Sequence, residues 1–329
     1  MPTIFDAVAT HKKELVGQAT TTVTNLVGAY ETVTKALDTR ITKLNSEILI
    51  AHTNGTLSVN KVRQLVVYQE LLKQVEDEVS KFGVIADYET RKLSALAITT
   101  SGTHTQTLVT SMIREGYVWA NLPSESIETL LGFLADDSPL HNNLLAKLGP
   151  TAVATFEDSF LSGIALGYNP NKTAGIIANS LAQPLSWVAQ TVRTAQMYTY
   201  REASRANYAA NGDVVEGWTW FATLGLRTCP ACINNHGKFF KLDQRLNDHH
   251  NGRCLSLPKV FDEYAVVDQR VVSGEKWFNS LSQADQRTIM GPSKLDLYKT
   301  GRAKFEEFST VYSNAIYGDM ITEAKVGKR

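Results

Sequence analysis

The sequence predicts a mainly α protein with a small α+β module toward its C-terminal end. Three observations predict it. Apolar residues recur at helical spacing through the first 100 positions, the pattern switches to strict alternation near Asn211, and all three cysteines fall in one short window after that switch. A chain of 329 residues has room for two or three domains. The changes of pattern divide it into a helical arm over 1–120, a helical middle over 121–212, a β-containing Cys/His module over 213–265 and a C-terminal helical segment over 266–329.

In the arm, Leu37, Ile41, Leu44 and Ile48 follow a 4-3-4 spacing, with Tyr30 one heptad earlier, which places one apolar stripe along a long helix. "HTNGTLS" breaks the pattern, and Ser58 suits the N-cap of a second helix whose stripe is Val62, Leu65, Leu72, Val75, Val79 and Phe82. Two long helices joined by a short polar turn make an αα-hairpin. Residues 100–122 read as a junction. Short helices are expected next, punctuated by "DDSP", "LGP" and "GYNPNKTAG", where Asn169 suits an N-cap and Pro170 the first helical position. "GIALG", from Gly163 to Gly167, reads as a local packing or turn feature.

"VVEGWTWFA" then alternates Trp218 and Trp220 onto one face, the period-two signature of a strand. "KFF" and "PKVF" are candidates for two more short strands. From about Ser273 the pattern is helical again, with Pro292 at a helix start and Gly301 at its end. Trp218, Trp220 and Trp277 are expected in the core.

The hydrophobic fraction of 43% and charged fraction of 20% are those of an ordinary folded protein. Lys plus Arg equals Asp plus Glu at 33 each, so net charge exerts no pull toward nucleic acid or an anionic membrane. Locally the balance is uneven: six acids and one lysine lie between Asn121 and Pro170, and six basic residues and two acids between Arg227 and Lys259. No apolar run reaches the roughly 18 residues of a membrane span. The opening "MPTIFDAVATHKKEL" lacks the basic-then-apolar order of a secretory signal. Three cysteines cannot complete a disulfide framework. The expectation is a chain made in a reducing cytoplasm, with no membrane partner.

Cys229, Cys232 and Cys254 share the window "LRTCPACINNHGKFFKLDQRLNDHHNGRC" with His236, His249 and His250, three of the seven histidines. Cys229-Pro-Ala-Cys232 is a C-x-x-C knuckle, whose tight turn can bring both sulfurs to one side of a Zn²⁺ ion. Cys254 supplies a third ligand and His249 or His250 the fourth, giving a closed, structural Cys₃His site with zinc as its cofactor. His236 reads as a turn residue. No G-x-S-x-G, Walker A, H-E-x-x-H or G-x-G-x-x-G motif is present, so no catalytic constellation is assigned and the chain is not expected to be an enzyme.

The order of these residues resembles the signature of the Mu F-like minor head proteins of tailed bacteriophages, also called head morphogenesis proteins. The family pattern runs R-T-C-x-x-C, a short turn with H-G-x-x-[FY], then H-P-x-C-R-C. It falls on Arg227, Thr228, Cys229, Cys232, His236, Gly237, Phe240, His249, Arg253 and Cys254. His250 stands where the family usually has Pro, and Gly252 where it often has Cys. "VRTAQMYTYREASRANY", "GYNPNKTAGIIANSL" and the segment from Trp277 to Phe308 are similar to further family segments, so the likeness covers roughly 160–310.

What the resemblance implies is a minor structural protein of the virion, in the head or neck, made in the host bacterial cytoplasm. Its implied partners are the portal protein and capsid proteins, with viral double-stranded DNA during packaging or ejection, and it would be oligomeric within the virion. No catalysis is implied. Two other readings of the same residues are a metal-dependent nucleic-acid-processing enzyme centred on Asp248, His249 and His250, and a zinc-ribbon nucleic-acid-binding protein.

Overall fold

The computed structural model describes residues 3–132 and 135–326. It is mainly helical, with a long N-terminal helical region and a small sheet module near the C-terminal end that carries the Cys/His cluster. Helix α1 spans Ile4–Thr53, α2 spans Val59–Arg63 and α3 spans Val66–Met112. The stripe of α1 is set by Leu26, Tyr30, Val33, Leu37, Leu44 and Ile48, all buried, whereas Ile41 is half-buried at its edge. Ser58 caps α2 as expected, its hydroxyl accepting from the Lys61 N–H at 3.1 Å. The chain breaks again at Gln64 and Leu65 before α3 begins, so the second helix is in two pieces, and Leu71 rather than Leu72 is fully buried.

The junction expected over 100–122 is helical as far as Met112. Its threonines and serines do not compete with the helix. Thr105, Thr107 and Thr110 each return a hydroxyl hydrogen bond of 2.8 Å to the carbonyl four residues back. Buried Leu108, Val109 and Met112 then fix this turn-like composition against the core.

Helix α4 spans Ser124–Gly132, and α5 spans Pro139–Asn142, capped by the Ser138 hydroxyl. A π-helical turn over Asn143–Lys147 leads into α6, Leu148–Ala165. Helix α7, Pro170–Ala210, is far longer than the short helices expected there and passes through Pro184. It starts where the sequence places it, with Asn169 Oδ1 accepting from the Lys172 N–H at 2.9 Å. Gly163 is a packing glycine, since a Cβ there would sit 2.8 Å from Ile176 Cδ1.

Strand β1 (Val215–Phe221) is central in an antiparallel sheet, flanked by β2 (Phe239–Lys241) and β3 (Leu255–Val260), and helix α8 (Pro230–Asn235) lies between β1 and β2 in sequence. Trp218 pairs across the sheet with Phe240 on one side and Pro258 on the other. Pro258 has no N–H for the ladder and sits on an edge strand, where that loss is tolerated. Helices α9 (Gly274–Ser280), α10 (Gln283–Met290) and α11 (Pro292–Lys299) follow as the sequence predicts. A 3₁₀ turn at Phe305–Phe308 then leads into a hairpin of β4 (Ser309–Asn314) and β5 (Gly318–Glu323), which the helical reading of 266–329 did not include.

The chain forms two compact units. One comprises Met1–Gln18, Ser94–Gly132 and Thr194–Arg329, and the other Ala19–Leu93 and Phe133–Arg193. In the second unit α1 and α3 pack as the expected antiparallel pair, with Tyr30 edge-on to Phe82 at 4.7 Å. The first unit has two cores. The larger joins Val8 and Leu15 of α1, Val109 and Met112 of α3 and Tyr208 of α7 to Trp218, Trp220 and Leu257 of the sheet. The smaller gathers Ile233, Phe278, Met290, Leu295, Phe305 and Phe308, with Trp277 only partly buried beside it. No helix among the described residues is long and apolar enough to cross a membrane.

Candidate metal centre

Cys229 is the N-cap of α8, its φ of −68° and ψ of 151° extended, and Pro230 occupies the first helical position. An N-cap side chain faces the N–H three residues on. Here the Cys229 sulfur accepts from the Cys232 N–H at 3.4 Å, which is why a C-x-x-C spacing presents both sulfurs at one helix end. His249 completes the group from the loop before β3. Its Nε2 lies 3.3 Å from the Cys229 sulfur and 3.3 Å from that of Cys232. These three side chains can hold a metal ion.

The imidazole is oriented for that role. His249 Nδ1 lies 2.8 Å from the His250 carbonyl oxygen, so the Nδ1–H donates to the backbone and leaves the Nε2 lone pair facing the sulfurs. Metal-bound histidines are held in the same way, by donating the second ring N–H to a carbonyl or carboxylate. Without an ion, the Cys229 thiol is drawn down to about 5 by hydrogen bonding with Cys232 and by His249, against the opposing effect of burial. His249 is raised to about 9, chiefly by its contact with the Cys229 sulfur. Cys232 is pushed up by the neighbouring Cys229 and Cys254 sulfurs and by burial.

Behind the cluster lies a buried charge pair. The Asp248 carboxylate has a side-chain exposure of 0%, and its Oδ2 accepts from Arg201 of α7 at 2.7 Å and from the Cys254 N–H at 3.1 Å. Its Oδ1 accepts from the His249 N–H at 2.9 Å and from the Cys232 thiol at 3.4 Å. Burial is the largest single influence and opposes ionisation of Asp248, but the charges of Arg201 and His249 and the N–H groups of Cys254 and His249 together outweigh it, and the carboxyl stays below its usual range. Arg201 also donates to the carbonyls of Gly252 and Cys254, each at 2.9 Å. One guanidinium thus fixes the whole 248–254 loop against α7.

Comparison with family models, with curated proteins and with solved structures found no match to this chain.

The structure sorts the residues singled out from sequence. Cys229, Cys232 and His249 converge. Cys254, buried, joins a second group with Cys232 and Asp248 whose ligand atoms lie within 4.8 Å of one another. His250 is turned elsewhere: its Nε2 lies 3.3 Å from Asn314 Nδ2 and its ring stands edge-on to Tyr317. His236 is a buried lock for the turn, Nδ1 accepting from the Ala222 N–H at 3.0 Å. Arg201 was missed. Its signal was available, because Met197, Tyr200, Ser204 and Tyr208 mark a buried face of α7, and an arginine on such a face needs a buried acceptor.

Proposed function

We propose that this protein is a minor structural component of a tailed-bacteriophage virion, acting in head morphogenesis at the portal and capsid, with a structural zinc ion in its Cys/His cluster. The observation that carries the zinc reading is the donor spacing. A tetrahedral Zn²⁺ with sulfur at about 2.3 Å and nitrogen at about 2.0 Å places the two donors about 3.5 Å apart. Both sulfur–nitrogen distances at His249 are 3.3 Å. Cys254 is the fourth ligand in this reading, its sulfur within 4.8 Å of that of Cys232. When bound, zinc contributes its binding free energy to folding of the module, because the site does not exist in the unfolded chain.

The virion role rests on the order of Arg227, Thr228, Cys229, Cys232, His236, Gly237, Phe240, His249, Arg253 and Cys254 along the chain. It is supported by the place each takes: cluster ligands at Cys229, Cys232 and His249, a turn lock at His236, and Phe240 stacked on Trp218 at 4.5 Å. In this role the protein is made in the host cytoplasm and ends in the head or neck. There it is oligomeric, contacting portal and capsid proteins and, during packaging or ejection, double-stranded DNA.

The competing enzyme reading has less support, since both Asp248 oxygens are engaged and His250 faces Asn314 instead of the cluster. The test is co-purification. Fixed copies of the protein per portal ring or mature virion are expected. A protein that stays soluble and apart from both, or that cleaves duplex DNA in a metal-dependent manner lost in His249→Ala, overturns the proposal.

A further inference from the structure

We propose that the cavity beside the Cys/His cluster is a phosphate-binding site built on Lys12, Arg227 and Arg253. The cavity measures about 520 Å³ and has the cluster as part of its wall. Three separate stretches bring the cations to it: α1 supplies Lys12, the loop from Ala222 to Cys229 supplies Arg227, and the approach to β3 supplies Arg253. Among the described residues no carboxylate lines it. Among the described residues none of the three cations is in an ion pair, whereas exposed Lys81 and Arg270 each have an acidic partner.

The nearest acid does not neutralise the cavity. Asp248 lies outside its lining and is engaged by Arg201 at 2.7 Å. A zinc ion held by three thiolates and a neutral imidazole carries a single negative charge, so beside a loaded cluster the three cations still leave the cavity net cationic. Burial and Arg253 both work against the charge on Lys12, while the Cys254 thiol and Asp248 favour it. An incoming anion relieves the repulsion between the two cations. Guanidinium and ammonium groups around a concave space suit a phosphate, which accepts several charge-assisted hydrogen bonds at once. A cavity of this size admits a phosphate group and its immediate substituent more readily than a flat protein surface. This inference goes beyond the virion role, since it rests on these side chains whatever assembly the protein joins.

The test is calorimetric titration of the full-length protein with inorganic phosphate at low salt, with zinc content and melting curve checked for each variant. Saturable binding is expected. Lys12→Gln and Arg253→Gln should each weaken it about tenfold, the loss of one charge-assisted hydrogen bond. Lys12→Arg should retain most of the affinity, and Lys13→Gln, on the exposed side of the same helix, should leave it unchanged. A short duplex oligonucleotide that displaces phosphate identifies a nucleic-acid backbone as the source of the group. An oligonucleotide that leaves bound phosphate in place identifies a small phosphate-bearing molecule. The proposal is overturned by absence of binding at millimolar phosphate, by equal losses in Lys12→Gln and Lys13→Gln, or by tighter binding of a glutamate-rich peptide than of phosphate.

Discussion

Arg201 on α7 reaches Asp248, 47 residues later in the chain, at 2.7 Å, and both side chains are buried. The pair fixes the loop that carries His249 and Cys254, so the Cys/His cluster depends on a helix that contributes none of its side chains. Removing one partner leaves an uncompensated buried charge, which typically costs about 3–5 kcal/mol. Arg201→Met is therefore expected to lower the free energy of unfolding by that amount in urea. Arg201→Met combined with Asp248→Asn should recover part of the loss, because the amide oxygen can still accept from the Cys254 N–H. Additive losses in the double variant would show that the two residues do not act as a pair.

Metal stoichiometry separates the two neighbouring histidines. Cys229→Ser, Cys232→Ser and His249→Ala are each expected to purify with well under one zinc equivalent and reduced solubility. His250→Ala should keep the full equivalent, since its ring lies against Tyr312 and Tyr317. Elemental analysis of these four variants and of Cys254→Ser beside the parent decides it. Full retention by Cys254→Ser would remove that residue from the ligand set without touching the other three.

Much of this was legible in the sequence, and the exceptions have physical causes. Periodicity located α1 and the start of α7, because apolar spacing and the Asn169-Pro170 cap are local signals. It ended α3 too early at Thr100, since the threonines there satisfy their hydroxyls within the helix and the burial that holds them comes from other elements. C-x-x-C and His249 were readable as spacing. Discrimination between His249 and His250 was not, because it depends on which ring nitrogen the local backbone occupies. The β4–β5 hairpin was also missed. Its strands have little apolar alternation, and its turn is fixed by Asn314, whose Oδ1 accepts from the N–H groups of Ile316 and Tyr317 at 2.9 and 3.0 Å.

Stability should fall in mild acid. His11 stacks flat on His104, with ring centroids 3.6 Å apart and planes 2° from parallel. Burial first, and the charge of His104 second, bring His11 down to about 4. Burial brings His236 to about 4 as well. Both values lie below the 6.5 of an unperturbed imidazole. The sign follows: the unfolded chain binds more protons in this range, so the contribution is complete above pH 6.5, declines as the pH falls toward 4, and is flat below. Each histidine accounts for on the order of 2–3 kcal/mol over that window. Urea midpoints across the window measure the slope. His11→Phe, which keeps a flat ring against His104, should make it shallower, and an unchanged slope would exclude His11 as a source.

Gly252 carries the last prediction, because it is one of the two positions that depart from the head-protein pattern. A Cβ added there would lie 2.1 Å from Asp248 Oδ2 and 2.2 Å from its carboxyl carbon. A flexible side chain would move aside, but this carboxylate is held by Arg201, the Cys254 N–H and the His249 N–H and has no room to turn. Glycine at 252 and aspartate at 248 are thus one steric solution: the space a side chain at 252 would enter is the space the carboxylate fills. Gly252→Ala is expected to destabilise the protein by about 1–3 kcal/mol, the usual cost of overpacking a tight interior. It should also weaken zinc binding, since the displaced carboxylate carries the His249 backbone with it. Gly252→Ala combined with Asp248→Ala opens the clash but leaves Arg201 without its acceptor, so it should relieve strain and remain less stable than the parent. Chelator competition and urea unfolding on the single and double variants measure both effects. A Gly252→Ala protein with parental stability and zinc affinity would show that the loop accommodates a side chain there.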